Sequence, residues 1–435
     1  MTLASSEDLI KQLTDARART CALIDQLSEE QLTGPRLPTV NPLRWEIGHA
    51  AYFYEFWILR HHYQEPSLIT GIDELFDSIH IPHESRWDLK LPTLSDTINY
   101  MQQVKDRVVH HLSSGQQDSI RNYLTQYAIF HEDMHCEAFT YTRQTLKYPE
   151  PKISLDIKPI KNLDPIMGDA FIPGGSFMLG AESNDNFIFD NEKWAHDKTV
   201  VPFKISKTAV SNEEYEKFVN AGGYLQREYW CAQGWLWLSE NNIKHPVYWR
   251  FDKKTNYWKV RLFDKWQNLQ AKSAMVNVNW YEASAYCQWA GRRLPTELEW
   301  EVAASAVPTN SNVCLSNEKR YYPWGDDAAN SEYANFNGET LGPIDVNAKP
   351  AGDSAFGCRQ MLGNVWEWTD TIFSPYPGFT PDMYEDYSQP LFGKARVLRG
   401  GCWATRARLL RNTWRNYYAA ERNDVFAGFR TCAIT

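Results

Sequence analysis

A chain of 435 residues exceeds the size at which a single hydrophobic core usually stops growing, so two domains are expected. With 43% hydrophobic and 14% aromatic residues it can fill both cores, and a formal net charge of −9 without a Lys/Arg cluster argues against a nucleic-acid surface. The eight cysteines are scattered and form no CxxC pair, the N-terminus lacks a signal peptide's basic and apolar regions, and no apolar run reaches the ~18 residues of a membrane span; a cytoplasmic protein with reduced thiols, a small-molecule substrate and no membrane partner is expected.

Four segments before residue 147 carry a helical period. Leu9, Leu13, Ala16, Thr20, Leu23 and Leu27 form the first stripe, with Ser5 or Ser6 as N-cap. The second opens on Asn41-Pro42, a cap residue and a proline suited to the first helical position, and continues through Trp45, His49, Tyr52, Phe53 and Phe56. The third runs through Leu94, Ile98, Met101, Val104, Val108 and Leu112. The fourth, Tyr123 to Thr142, presents Leu124, Tyr127, Ala128, His131, His135 and Ala138 on one face. Four amphipathic helices with one longer connection, around residues 64 to 92, predict a four-helix bundle over 1–148.

His131 and His135 are four residues apart, which stacks two imidazoles about one turn apart within reach of a single ion. His49 lies on the inward stripe of the second helix and is the expected third ligand. A single His on an apolar face is more often a hydrogen-bonded core residue, but two buried imidazoles one turn apart would otherwise need separate partners for four ring nitrogens. Glu132, Asp133 and Glu137 around them read as a solvated helix face. HEDMH also matches HExxH, in which Glu132 would be the general base of a zinc hydrolase, but no extended form of that motif follows.

After Tyr148 the composition turns rich in Pro, Lys and Asp without a period, which predicts a linker over 149–168. Beyond it, short apolar runs alternate with Gly, Pro, Asn and Asp clusters. Helices are expected at 212–220, 280–290 and 297–304 inside an irregular α+β domain over 169–435. Most of the eighteen tryptophans fall here, compatible with a packed core or with an aromatic-walled pocket for a quaternary ammonium.

FIPGGSFMLG (171–180), VNVNWYEASAYCQWAGRRLPTELEWEVAA (276–304), YPWGD (322–326), GNVWEWTD (363–370), VLRGGCW (397–403) and FAGFR (426–430) together resemble the formylglycine-generating-enzyme, or sulfatase-modifying-factor, domain. The resemblance implies a loop-rich C-type-lectin-like fold. Behind a DinB-like bundle carrying HEDMHCE, it makes nearly the whole chain similar to the ergothioneine sulfoxide synthases, mononuclear non-haem iron enzymes. The copper-binding cysteine pair of formylglycine-generating enzymes has no counterpart, because Cys402 and Cys432 are too far apart in sequence.

The family resemblance implies an Fe(II) site of His49, from WEIGH, with His131 and His135, from HEDMHCE, the same three residues that spacing selects. It implies an O2-dependent reaction in which the imidazole C2 of hercynine is joined to the sulfur of a cysteine-type thiol and that sulfur becomes a sulfoxide. Tyr376, in SPYPGF, stands where the family has its proton donor. The Trp414-Arg415-Asn416-Tyr417 segment stands where the family contacts the betaine end of hercynine. Arg86 is expected to meet the carboxylate of the thiol, with Arg422 as a second candidate. Two departures concern the donor: Met134 replaces a glutamine common before the second histidine, and Tyr418 replaces an acidic residue of γ-glutamylcysteine-using members. They predict free cysteine, or another thiol than γ-glutamylcysteine. Selenoneine synthases, which join hercynine to a selenosugar, share the architecture and stand as the alternative, with a zinc hydrolase as a further one.

Overall fold

The computed structural model describes residues 4–153, 165–183, 186–309, 311 and 313–434. It divides into two compact units: Met1–Ile153 with Asn184–Phe187, and Ser154–Ser183 with Ile188–Thr435. Most of the expected linker, 154–164, lies outside the described residues.

The first unit is built on four helices: α1 (Ser6–Ile24), α2 (Leu43–Tyr54), α3 (Leu94–Leu112) and α4 (Ser119–Thr145). α1 packs on α3 and α4, and α2 packs on the same two, so each helix buries its stripe against two neighbours. Ser5 caps α1, its hydroxyl accepting from the backbone N–H of Asp8, and Asp118 caps α4 in the same way through Arg121.

Three local readings shift. Pro42 stands at the N-cap of α2 rather than inside the first turn, and Asn41 accepts from the Arg86 guanidinium at 2.7 Å instead of capping. Ile98 is 39% exposed, because Thr97 and Tyr100 take the inward positions of α3 beside Met101 and Val104. The apolar pattern of α2 continues as a wider-pitched helix, Glu55–His62, which turns Glu55 into the bundle, where Tyr100 and the backbone of Leu68 donate to it.

The second unit holds two four-stranded sheets and a three-stranded meander. One sheet joins Asp169–Ile172, Phe203–Ser206, Cys432–Ala433 and Arg292–Arg293 in that order. In the other, Arg415–Tyr418, Arg396–Arg399 and Trp366–Ile372 pair antiparallel, and Ala427–Gly428 adds in parallel. Three helices open on reciprocal capping boxes that the sequence spells: Ser211/Glu214 before α5 (Asn212–Asn220), Asn279/Glu282 before α6 (Trp280–Trp289) and Thr296/Glu299 before α7 (Glu297–Ser305). Ile172, Phe177, Phe203, Ile205, Trp300, Leu362 and Leu410 share a core, and Trp366, Trp368 and Trp403 are also fully buried, so much of the tryptophan content is packing. Gly363, in GNVWEW, sits at φ +75° where a Cβ would lie 2.4 Å from the Asn335 carbonyl oxygen, which only glycine accommodates.

Not anticipated were a helix at Ala232–Glu240 and the meander Trp249–Asp252, Tyr257–Leu262 and Lys265–Asn268. Among the described residues no helix is long and apolar enough to cross a membrane.

Candidate metal centre

α2 and α4 bring His49, His131 and His135 together, each offering one ring nitrogen within 4.8 Å of the others. Among the described residues this is the one such group of three or more His, Cys, Asp or Glu side chains. His49 and His131 are buried and His135 is half-buried.

Hydrogen bonds fix which nitrogen two of the three rings can offer. His49 Nδ1 lies 2.8 Å from the carbonyl oxygen of Phe76, which can only accept, so Nδ1 carries the proton and Nε2 keeps its lone pair. His135 Nδ1 lies 2.7 Å from Glu46 Oε1 and, facing a carboxylate, donates as well. His135 Nε2 and His131 Nε2 then face one another at 3.2 Å. The lone pair of His135 Nε2 is met there either by an Nε2–H of His131 or by a cation that both nitrogens coordinate. For bonds of about 2.1 Å to one ion, neighbouring ligand nitrogens stand about 3.0–3.4 Å apart. The 3.2 Å pair has that spacing, and a donor set of three imidazoles suits a metal.

Electrostatics agree with neutral ligands. Burial pushes the His49 pKa down to about 3, with the neighbouring His135 adding to the effect. Burial, followed by the other two histidines, also holds His131 well below the usual imidazole range. The rings are clamped by aromatic faces: Trp45 stacks on His49 at 4.8 Å and 6°, and Phe53 on His131 at 4.0 Å and 16°.

Glu132 is no part of this face. It is fully buried, which corrects its reading as a solvated residue: Oε1 accepts from Thr20 at 2.7 Å with the Arg17 guanidinium 3.4 Å away, and Oε2 accepts from Tyr54 at 2.9 Å. A carboxylate so committed is not poised to activate water, which removes the chemical basis of a zinc hydrolase. Asp133 and Glu137 are buried too, again against a solvated face.

The other residues singled out by the sequence divide between the units. Arg86 lies over Trp45 at 3.9 Å, so Arg86, Trp45 and His49 form one layered stack. Met134 is half-buried on α4, directly before His135.

In the second unit, Arg415–Tyr418 alternates: Arg415 and Tyr417 turn into the core, while Asn416 and Tyr418 are half-buried on the opposite side. Arg415 commits four N–H groups, Nε at 2.7 Å and Nη2 at 3.0 Å to the Glu297 carboxylate, Nη1 to the Asn191 carbonyl at 2.7 Å and Nη2 to the Ser374 carbonyl at 3.1 Å. Tyr417 stacks on Phe373 at 4.0 Å and donates its hydroxyl to the Tyr387 carbonyl. Asn416 Oδ1 accepts from the backbone N–H of Tyr417 at 2.8 Å. Trp414 meets Trp366 edge-on at 4.8 Å. Arg422 is held by both oxygens of Asp424 at 2.6 and 2.8 Å, with the Tyr418 ring 5.2 Å below.

Tyr376 is 7% exposed, with the Arg415 guanidinium 4.0 Å from its ring centre and His196 edge-on at 4.7 Å. Its buried hydroxyl has no hydrogen-bond partner among the described residues, and burial raises its pKa well above the ordinary phenol value.

Residues 158–434 match the sulfatase-modifying factor enzyme 1-like domain, and residues 12–138 the DinB superfamily, so the fold is a DinB-like helical bundle followed by a domain of the sulfatase-modifying-factor class. Over 433 residues the chain is 35% identical to a hercynine oxygenase of Mycolicibacterium thermoresistibile, covering 97% of this chain and 94% of that protein. It is 34% identical to a protein of the same name from Mycobacterium tuberculosis, covering 98% and 99%. A formylglycine-generating enzyme of Thermomonospora curvata is 28% identical over 312 residues, 65% of this chain.

Proposed function

The chain belongs to the hercynine oxygenase family, and from that premise we propose that it is an O2-dependent sulfoxide synthase of ergothioneine biosynthesis, with a mononuclear Fe(II) held by His49, His131 and His135. The reaction balances as hercynine plus a cysteine-type thiol plus O2 giving the C2-linked sulfoxide and one water. The C2–H and S–H bonds break, a C–S and an S–O bond form, and the two hydrogens leave in the water. The observation that carries the reading is the convergence of three imidazole nitrogens, two of them 3.2 Å apart, in a chain that spans full-length hercynine oxygenases.

Bound iron would supply coordination positions for the imidazole, the thiolate and O2 together. The protein's part is to keep three imidazoles aimed at one point. Burial opposes protonation of His49 and His131, Phe76 and Glu46 accept the Nδ1–H groups of His49 and His135, and Trp45 and Phe53 prevent the rings of His49 and His131 from turning. Tyr376, with a buried hydroxyl that no described residue engages, is the proposed proton donor. Trp414 and Asn416 are the proposed contacts of hercynine. Arg415 and Tyr417, committed to Glu297 and Phe373, hold that strand in place, while Arg86 and Arg422 are the proposed partners of the thiol's carboxylate. Met134 and Tyr418 favour cysteine over γ-glutamylcysteine as donor.

The test is anaerobic loading with Fe(II), then mass spectrometry of hercynine incubated with cysteine, γ-glutamylcysteine or a selenosugar, with and without air. A C2-linked sulfoxide that forms only in air is expected, faster from cysteine than from γ-glutamylcysteine. Absence of any O2-dependent product overturns the proposed activity.

A further inference from the structure

The WEIGH segment carries a second chemically distinctive residue three positions before His49. Glu46 shares the inward face of α2 with His49, since three residues are nearly one turn, and its residue exposure is 2%. Its Oε1 receives the Nδ1–H of His135, on α4, at 2.7 Å. Its Oε2 is buried and has no hydrogen-bond partner among the described residues. The contrast with Glu132, on α4 itself, is sharp, because both oxygens of Glu132 are taken by Thr20, Tyr54 and Arg17. Among the described residues the carboxylate of Glu46 has one hydrogen-bond partner, a histidine of the metal centre.

The three imidazoles are therefore not equivalent. The Nδ1 of His49 gives its hydrogen bond to a neutral carbonyl, whereas that of His135 gives its own to a carboxylate. A carboxylate that draws the Nδ1 proton makes the opposite nitrogen a stronger electron donor and fixes the plane of the ring. Removing a buried carboxylate from water is costly, so its retention beside the site calls for a compensating interaction, and the imidazole of His135 supplies it.

We propose that Glu46 is the positioning residue of the metal centre: through His135 it orients one ligand from the opposite helix and makes that ligand more electron-donating, which strengthens metal binding and favours the oxidised ion. This rests on the reading of His49, His131 and His135 as metal ligands.

The test uses the full chain as wild type, Glu46→Gln and Glu46→Ala. Co(II) serves as an optical probe, titrated in competition with a chelator, and the midpoint potential of the iron-loaded protein is measured separately. Gln keeps an oxygen that accepts the Nδ1–H and removes the charge; Ala removes both. Co(II) affinity is expected to fall about 10- to 100-fold in Glu46→Ala and by less in Glu46→Gln. The iron potential of Glu46→Gln is expected to rise, which loss of packing alone would not produce. A Glu46→Gln protein that folds as the wild type does, binds Co(II) as tightly and shows the same potential overturns the proposal. Wild-type protein that takes up neither Co(II) nor Fe(II) overturns the metal-site reading and this inference with it, whereas tight binding in every variant overturns this inference alone.

Discussion

Both units bury ionisable side chains, and they do so with opposite results. In the second unit the buried charges satisfy one another: Arg399 bridges Glu297 at 2.8 Å and Glu301 at 2.5 Å, Arg415 clasps Glu297, Lys319 adds to Glu301 at 2.7 Å, and Arg430 clasps Glu367 at 2.6 and 2.8 Å. In the bundle, His49, His131 and His135 turn ring nitrogens toward one point, with the Nδ1–H groups tied back at His49 and His135. Burial therefore does not mark a ligand site. Coordinating valence left over after local pairing does, and this separates the histidines from Glu132 one residue away.

The strongest test of that distinction removes one group from each side. His135→Ala is expected to lower O2-dependent turnover by at least ~10³-fold and to abolish stoichiometric metal uptake, read by metal analysis of the purified protein. Its cost to the metal-free fold is limited to leaving Glu46 unpaired, about 1–3 kcal/mol in denaturant unfolding. Glu297→Ala inverts the pattern. It takes from the fully buried Arg415 its carboxylate partner and from Arg399 one of two, and is expected to cost about 3–5 kcal/mol in unfolding free energy while the bundle retains its metal. Equal loss of metal in both variants would erase the contrast.

The sequence displayed the bundle side of this comparison better than the other. Helical spacing placed His131 and His135 on one face, and the inward stripe of α2 supplied His49, because a helix's period converts sequence distance directly into direction. Glu46 was equally visible in WEIGH, but its partner is 89 residues away on another helix, and no local rule links the two. Glu132 is buried rather than solvated because α4 packs on α1 and α2 through different stripes, and Thr20 and Tyr54 on those helices reach its carboxylate. In the second unit the three expected helices are present, and each opens on a capping box whose partners are three residues apart, a signal that the sequence also carries. The meander at 249–268 went unseen because exposed Lys, Arg and Asn residues interrupt its strands and hide their alternation. Arg415 was read as a substrate contact from its motif, while the geometry gives four of its N–H groups protein acceptors, a fact that depends on Glu297, 118 residues distant.

Glu282 sharpens the comparison through pH. It is the capping-box residue of α6, buried completely, and burial raises its pKa to about 7, opposed by the hydrogen bonds from Tyr224 and the backbone of Asn279. A folded pKa above the unfolded value means that the native state holds the proton more tightly. The associated stability is present in full below about pH 4.5 and is lost as pH rises through about 7, on the order of 3 kcal/mol in all. Glu282→Gln mimics the protonated form, and the Tyr224 hydroxyl can reverse to accept from the new amide. Relative to wild type, this variant is expected to gain about 2–3 kcal/mol between pH 4.5 and pH 8, measured by denaturant unfolding at both. A difference independent of pH would show that Glu282 is charged in the fold, and the second unit would then contain a buried charge that its neighbours do not neutralise.

Gly48 gives the smallest effect in stability and the finest test of how the bundle holds its histidines. A Cβ at this position would lie 2.3 Å from two atoms of the Phe76 ring, which is itself 1% exposed. Gly48→Ala would ordinarily stabilise a helix interior by about 0.5–1 kcal/mol, while overpacking the core costs about 1–3 kcal/mol. The two oppose each other, so a net loss of only about 1–2 kcal/mol is expected. The displacement of Phe76 has a second consequence, because the carbonyl of that residue receives the Nδ1–H of His49. If the tied-back proton is what aims Nε2 of His49, Co(II) affinity should weaken about 10-fold in a variant whose fold is nearly intact. Unchanged affinity would mean that the stack of Trp45 on His49 suffices to hold the ring, and that the hydrogen bond to Phe76 serves packing rather than the metal centre.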